Sequence, residues 1–153
     1  GVARFTRGEL TFYNHGLDRE FVRALLRASD VGLVTPLRDG MNLVAKEFVA
    51  VQDYDDPGVL VLSHGAGAAC ELDAALLVDP TDPESIANAL DAALSMSLQQ
   101  RRERWQCLFN NVCSNDIHDW TNAILNRLSY DESSPGIQAT SRRFASTRYV
   151  ARA

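Results

Sequence analysis

The sequence predicts an α/β domain, a parallel sheet with flanking helices, and three observations lead there. Short apolar runs recur: "VGLVTP" at 31–36, "VLVL" at 59–62 and "ALLVDP" at 75–80. They have the length and unbroken apolar character of strands covered on both faces. Segments with apolar residues at helical spacing alternate with these runs or follow them. Turn-forming Gly, Pro and Asp gather at the joints. The chain of 153 residues, 46% hydrophobic and 23% charged, suffices for a single core.

The elements follow in order. Residues 18–28, "DREFVRALLRA", set Phe21, Val22, Leu25 and Leu26 on one side of a helix and arginines on the other. The run at 31–36 is a strand ended by Pro36, and a short helix follows over 43–51. "DYDDPG" is a turn into the strand at 59–62, and the third strand lies within 75–80. Asp82 suits an N-cap and Pro83 the first helical position, with Ile86, Ala89, Leu90, Ala93 and Leu94 along one face. Ser97 with Gln100 has the form of a capping box opening a helix through Trp105 and Phe109. Asn115 is read as the cap of a last helix through Trp120, Ile124 and Leu128. That gives one domain over 1–129 and a polar, disordered tail over 130–153, whose four arginines could hold an anion or simply be solvated.

Charge and special residues narrow the function. A net charge of -5 offers no general attraction to nucleic acid or an anionic membrane, so an anionic ligand must be held locally. No apolar run approaches the roughly 20 residues that span a bilayer, and the first ten residues lack the apolar stretch and cleavage site of a signal peptide. The expectation is a cytoplasmic protein. The first residue is Gly1, not methionine, which suggests a start further upstream. Cys70, Cys107 and Cys113 have no paired spacing, and His15, His64 and His118 are scattered, so buried thiols are expected in place of disulfides or a metal site.

Two loops compete for the chemistry. "SHGAGAACEL" at 63–72 follows a strand and falls one residue short of a dinucleotide fingerprint. The next strand begins near Ala75, leaving no room for the crossover helix that such a fingerprint opens. Its glycines are open to two readings: a tight turn against a neighbouring strand, or a phosphate or sugar contact.

The other loop, in "TPLRDGMNLVAKE" at 35–47, lies at the carboxyl end of a strand, where open parallel sheets collect ligands. Gly40 would let backbone approach a ligand, and the N–H groups at the start of the next helix, around Leu43 and Val44, would face a diphosphate. Asp39 and Glu47 can each accept hydrogen bonds from sugar hydroxyls, Glu47 far enough along the helix not to repel the phosphates. Taken singly, Asp39 also suits a turn or cap, Glu47 a solvated helix face and Met41 ordinary packing.

As a block, "SDVGLVTPLRDGMNLVAKEFVA" (29–50) with "GVLVLSHGAGAACEL" (58–72) resembles the C-terminal nucleotide-sugar domain of trehalose-6-phosphate synthases, retaining glycosyltransferases of the GT-B fold. The likeness spans roughly 10–128 and is most specific over 30–47. It implies a partial Rossmann-like domain that binds UDP-glucose for transfer of glucose to glucose 6-phosphate, giving α,α-trehalose 6-phosphate without a metal or cofactor. By the same resemblance Asp39 contacts the transferred glucose as the catalytic-site acid. The stretch Gly40, Met41, Asn42, Leu43, Val44, Ala45 and Lys46 holds sugar and diphosphate, and Glu47 binds the ribose. "YNHGLDRE" resembles the segment that touches the uracil, near Leu17. Gly65 stands where the family commonly has an aromatic residue and Cys70 where it commonly has asparagine, which implies an altered donor fit. The family's diphosphate-gripping basic pair, acceptor-phosphate site and N-terminal domain lie in sequence that this chain does not contain. The chain thus reads as a donor-binding piece, inactive alone, with an open sheet edge that would favour a homo-oligomer. A non-catalytic nucleotide-sugar module, a related synthase with another acceptor and a dinucleotide-dependent oxidoreductase are the alternatives.

Overall fold

The computed structural model describes residues 4–7, 10–115 and 117–131. Strands β1 (Arg4–Arg7) and β2 (Leu10–Tyr13) lead into helix α1 (Arg19–Arg27), strand β3 (Val31–Val34) and helix α2 (Leu43–Val51). Strand β4 (Val59–Ser63), a 3-10 turn (Gly67–Cys70) and strand β5 (Leu76–Val78) follow, then helices α3 (Pro83–Ser95), α4 (Leu98–Ser114) and α5 (Ile117–Asp131). The larger sheet is parallel in the order β3-β4-β5, with Val31 opposite Val59 and Val61 opposite Leu76. The fold class is therefore the α/β arrangement that the sequence predicts. The chain divides between Asp116 and Ile117 into two compact units, and all of the core described below lies in the first.

β4 is buried along its whole length because the sheet is covered on both sides of it. Its period of two sorts the side chains. Leu60 and Leu62 pack with Ala45, Phe48 and Val49 of α2 and with Trp105 and Leu108 of α4, while Val59 and Val61 pack with Val78 and Ala93. Each fully buried valine or leucine contributes about 1.5–3 kcal/mol by removing apolar surface from water, so this strand is a central part of the core. β3 corrects an expectation: it is not covered on both faces. Its single paired neighbour among the described residues is β4, and Leu33 is 46% exposed. A valine-rich run reads alike at the edge of a sheet and at its centre.

The helices form where their caps place them. Asp18 accepts from the Glu20 N–H to open α1, and Asp82 accepts from the Glu84 N–H to open α3 with Pro83 in the first turn. Ser97 and Gln100 make the expected reciprocal box at α4. Asn115 differs from the reading, since it closes α4 by donating its amide to Asn111 O at 2.9 Å, and α5 starts beyond it. Leu94, expected on the buried face of α3, is exposed; Ile86, Ala89, Leu90 and Ala93 pack, with Met96 completing the face. The apolar stripe of α1 is only half covered, with Phe21 and Leu25 exposed and Val22 and Leu26 partly buried. The three cysteines are free but exposed, against the expectation of buried thiols, because α4 turns Trp105 and Leu108 inward and leaves Cys107 outside.

The β1–β2 hairpin is an addition. Arg4 to Arg7 pair antiparallel with Tyr13 to Leu10, a short alternating pattern around Gly8 that the helix-and-sheet reading passed over. The proposed boundary after residue 129 falls inside α5, and the rest of the tail lies outside the described residues. No helix among the described residues is long and apolar enough to cross a membrane.

Candidate functional site

The chain leaves β3 after Val34, and Ser63 at the end of β4 catches it at once, its Oγ donating to Pro36 O at 2.6 Å. From there the loop runs beside the glycine-rich segment that follows β4. The Asp39 N–H donates to Gly65 O at 2.9 Å, the Gly67 N–H to Asp39 O at 2.9 Å and the Ala68 N–H to Met41 O at 2.7 Å. Gly65 and Gly67 are what allow this approach. A Cβ on Gly65 would collide with the Leu37 and Pro36 carbonyl oxygens, and one on Gly67 with Gly40 O. Of the two readings of that loop, the close-packed turn is the one built here, and the 3-10 turn that follows is far too short for a dinucleotide crossover helix.

With its backbone fixed, Asp39 presents an exposed carboxylate. Its oxygens accept from the Met41 N–H at 3.3 Å and from Asn42 Nδ2 at 2.9 Å. Asn42 is the hinge of the site. It adopts a left-handed conformation, φ 75°, which Asn tolerates better than most residues, and its Oδ1 caps α2 by accepting from the Ala45 N–H at 3.0 Å. One side chain thus both orients the acid and opens the helix. Leu43 and Val44 are the first two residues of α2, so their N–H groups have no carbonyl within the helix to donate to, and both residues are exposed. No acidic residue stands in that first turn to neutralise the positive end of the helix. A Cβ on Gly40 would meet nothing within 4 Å, so the space beside it is open.

The remaining expected residues divide. Glu47 lies on the exposed face of α2, in a groove of about 220 Å3 that Arg19, Val22 and Arg23 of α1 line from the other side with Ala50 and Val51. Leu17, partly buried, immediately precedes the Asp18 cap of α1. Ala45 is in the core, with its N–H taken by Asn42. Lys46 pairs its ammonium with Glu71, Nζ to Oε2 2.6 Å. Met41 is 38% exposed at the mouth of the loop. Beyond β5, at the same end of the sheet, the hydroxyl and then the N–H of Thr81 hold the Asp79 carboxyl below the usual carboxylate range; partial desolvation opposes them and His64 adds a small lowering. That acid serves a turn. Sequence reasoning missed Ser63, Glu71 and the double duty of Asn42, whose partners are distant in the chain or visible only once the left-handed turn is seen.

This arrangement can hold a phosphorylated sugar: open helix N–H groups for the phosphates, an oriented acid at the loop, and a second acid in the adjoining groove. Comparison with known proteins places the chain in a family. Residues 5–130 match the family model described as glycosyltransferase family 20. A trehalose-6-phosphate synthase of Klebsiella pneumoniae is 57% identical over 111 residues, which are 72% of this chain and 23% of that protein. One of Sinorhizobium fredii is 52% identical over 120 residues, 78% of this chain and 26% of that protein. This chain therefore spans about a quarter of the length of the curated relatives it matches. Among solved structures, one from Escherichia coli bound with UDP-2-fluoro glucose superposes with a TM-score of 0.72 at 52% identity, over 76% of this chain and 26% of the other. An α,α-trehalose-phosphate synthase (UDP-forming) from Burkholderia xenovorans in complex with glucose-6-phosphate gives 0.71 at 47% identity, over 74% and 25%. The chain belongs to glycosyltransferase family 20.

Proposed function

We propose that this chain forms the donor-binding part of an enzyme that transfers glucose from UDP-glucose to glucose 6-phosphate with retention, giving α,α-trehalose 6-phosphate and UDP. The observation that carries the reading is the loop end of β3, where the oriented Asp39 carboxylate stands beside the uncommitted N–H groups of Leu43 and Val44 and the open side of Gly40. In the reaction the bond between the anomeric carbon and the diphosphate breaks, and UDP leaves with the electron pair. On the same face a bond to the acceptor oxygen forms as that hydroxyl passes its proton to the departing diphosphate. The first turn of α2 meets the negative charge that grows on the diphosphate. Asp39 accepts from hydroxyls of the glucose and fixes its position against the diphosphate, Glu47 accepts from the ribose in its groove, and Leu17 borders the base. Relatives solved with UDP-2-fluoro glucose and with glucose-6-phosphate support the choice of both substrates.

Because the matched segment covers only about a quarter of the relatives' length, we further propose that the 153-residue chain by itself releases no UDP in response to glucose 6-phosphate. The exposed Leu33 on edge strand β3, with Phe21 and Leu25 on α1, would favour self-association of the isolated chain. A nucleotide-sugar-binding module without turnover is the second reading, favoured by the same length. The test is a chimera carrying this chain in place of the matching segment of the Klebsiella synthase, with and without Asp39→Ala. Turnover should fall by about 2 kcal/mol or more in barrier, roughly thirtyfold, while UDP affinity measured by calorimetry changes little. Normal turnover together with lost UDP affinity would remove Asp39 from the glucose.

A further inference from the structure

Lys46 and Glu71 make the least exposed ion pair described in the molecule by the lysine's burial: the Lys46 side chain is 15% exposed and that of Glu71 39%. Their 2.6 Å contact crosses from α2 to the residue that ends the 3-10 turn. That turn is the brace of the site, since its Gly67 and Ala68 N–H groups hold the Asp39 and Met41 carbonyls. Glu71 is tied into it through its own N–H, which donates to Ala68 O at 3.0 Å. On its far side the Glu71 carbonyl accepts from Asn111 Nδ2 of α4 at 2.8 Å. Glu71 therefore joins three pieces: α2 by its carboxylate, the brace by its N–H and α4 by its carbonyl. Lys46 follows Ala45, whose N–H is the one that Asn42 caps, so the ammonium is anchored within the first turn and a half of α2.

We infer that Glu71 is a positioning residue for the donor site: through Lys46 and Asn111 it locks the brace to the first turn of α2. The lock fixes the aim of Asp39 and of the Leu43 and Val44 N–H groups. Its effect on ligand rests on the donor reading above; its effect on the loops does not. The rival role for this pair is direct, with Lys46 as a phosphate ligand that Glu71 merely masks. The two differ in sign, because removing the Glu71 charge would then free a cation for the diphosphate and tighten binding.

The experiment uses the whole 153-residue chain, unaltered and as Glu71→Gln, Lys46→Met and the exchanged pair Lys46→Glu with Glu71→Lys. Amide hydrogen exchange without ligand should quicken about tenfold at Gly67 and Ala68 in both single variants, and stay unchanged at Val61 in the centre of β4. UDP affinity by calorimetry should fall about tenfold in each single variant, and the exchanged pair should recover to within about threefold. Tighter UDP binding by Glu71→Gln overturns the inference, as does unchanged exchange at Gly67 and Ala68. Equal quickening at Val61 also overturns it, because the pair would then act on the whole fold. If the unaltered chain binds no UDP, the donor reading fails, and the exchange measurements still decide whether Glu71 locks the loops.

Discussion

The loops after β3 and β4 both leave a parallel strand at the same end of the sheet, and both contain glycine, yet their glycines have opposite reasons to be there. At Gly65 and Gly67 an added carbon would strike backbone carbonyls of the neighbouring loop, whereas at Gly40 it would meet nothing within 4 Å. One loop has glycine so that it can brace; the other has it on an open side. The richer glycine motif is thus the structural one. Open space next to a lone glycine, together with spare N–H groups and an oriented acid, is the better sign of a ligand.

Breaking the brace should have the largest effect. Gly67→Ala forces a carbon against Gly40 O, and backbone cannot swing aside as a side chain can. Urea unfolding should show a loss near the upper end of the 1–3 kcal/mol typical of overpacking, about 3 kcal/mol. A stable Gly67→Ala variant would mean that the two loops are not held together as described. Next comes the groove. Glu47→Ala should weaken UDP and UDP-glucose by similar factors, since both carry the ribose, with a cost of about 1.5–3 kcal/mol, or tenfold to a hundredfold. Calorimetry with both ligands checks this, and equal affinities with and without the carboxylate would return Glu47 to an ordinary solvated position.

The smallest effect on stability is expected at the open glycine. Gly40→Ala should change unfolding free energy by less than about 0.5–1 kcal/mol, in either direction, because nothing in the fold occupies the space. UDP-glucose affinity should nevertheless drop, since the methyl group enters the volume assigned to the ligand. The same substitution type would then separate the two loops cleanly: Gly67→Ala read in denaturant, Gly40→Ala in a binding isotherm.

What was legible in the sequence was local. Asp82 with Pro83 and Ser97 with Gln100 announce helix starts because a cap and its partner lie within three residues. The strand runs announce a parallel sheet because burial on both faces removes alternation. That half-exposed β3 would carry the same kind of sequence as fully buried β4 could not be read, since what covers a strand is decided by elements elsewhere in the chain. The β1–β2 hairpin was readable in principle, but two four-residue strands give little period to count. At the site, Asp39, Gly40 and the helix start stood out by residue type and place. The partners of that loop did not: Ser63 reaches Pro36, Gly67 reaches Asp39 and Glu71 reaches Lys46 across 25 to 28 positions, a distance over which sequence spacing carries no geometry.

The most direct measurement is a UDP titration followed by amide nuclear magnetic resonance on the labelled chain. The Gly40, Leu43 and Val44 amides should shift together and saturate with one affinity, while those of Gly67 and Ala68, already bonded to Asp39 and Met41, move far less. Shifts concentrated at Gly67 and Ala68, with Leu43 and Val44 unmoved, would contradict this and make the glycine-rich segment the binding loop.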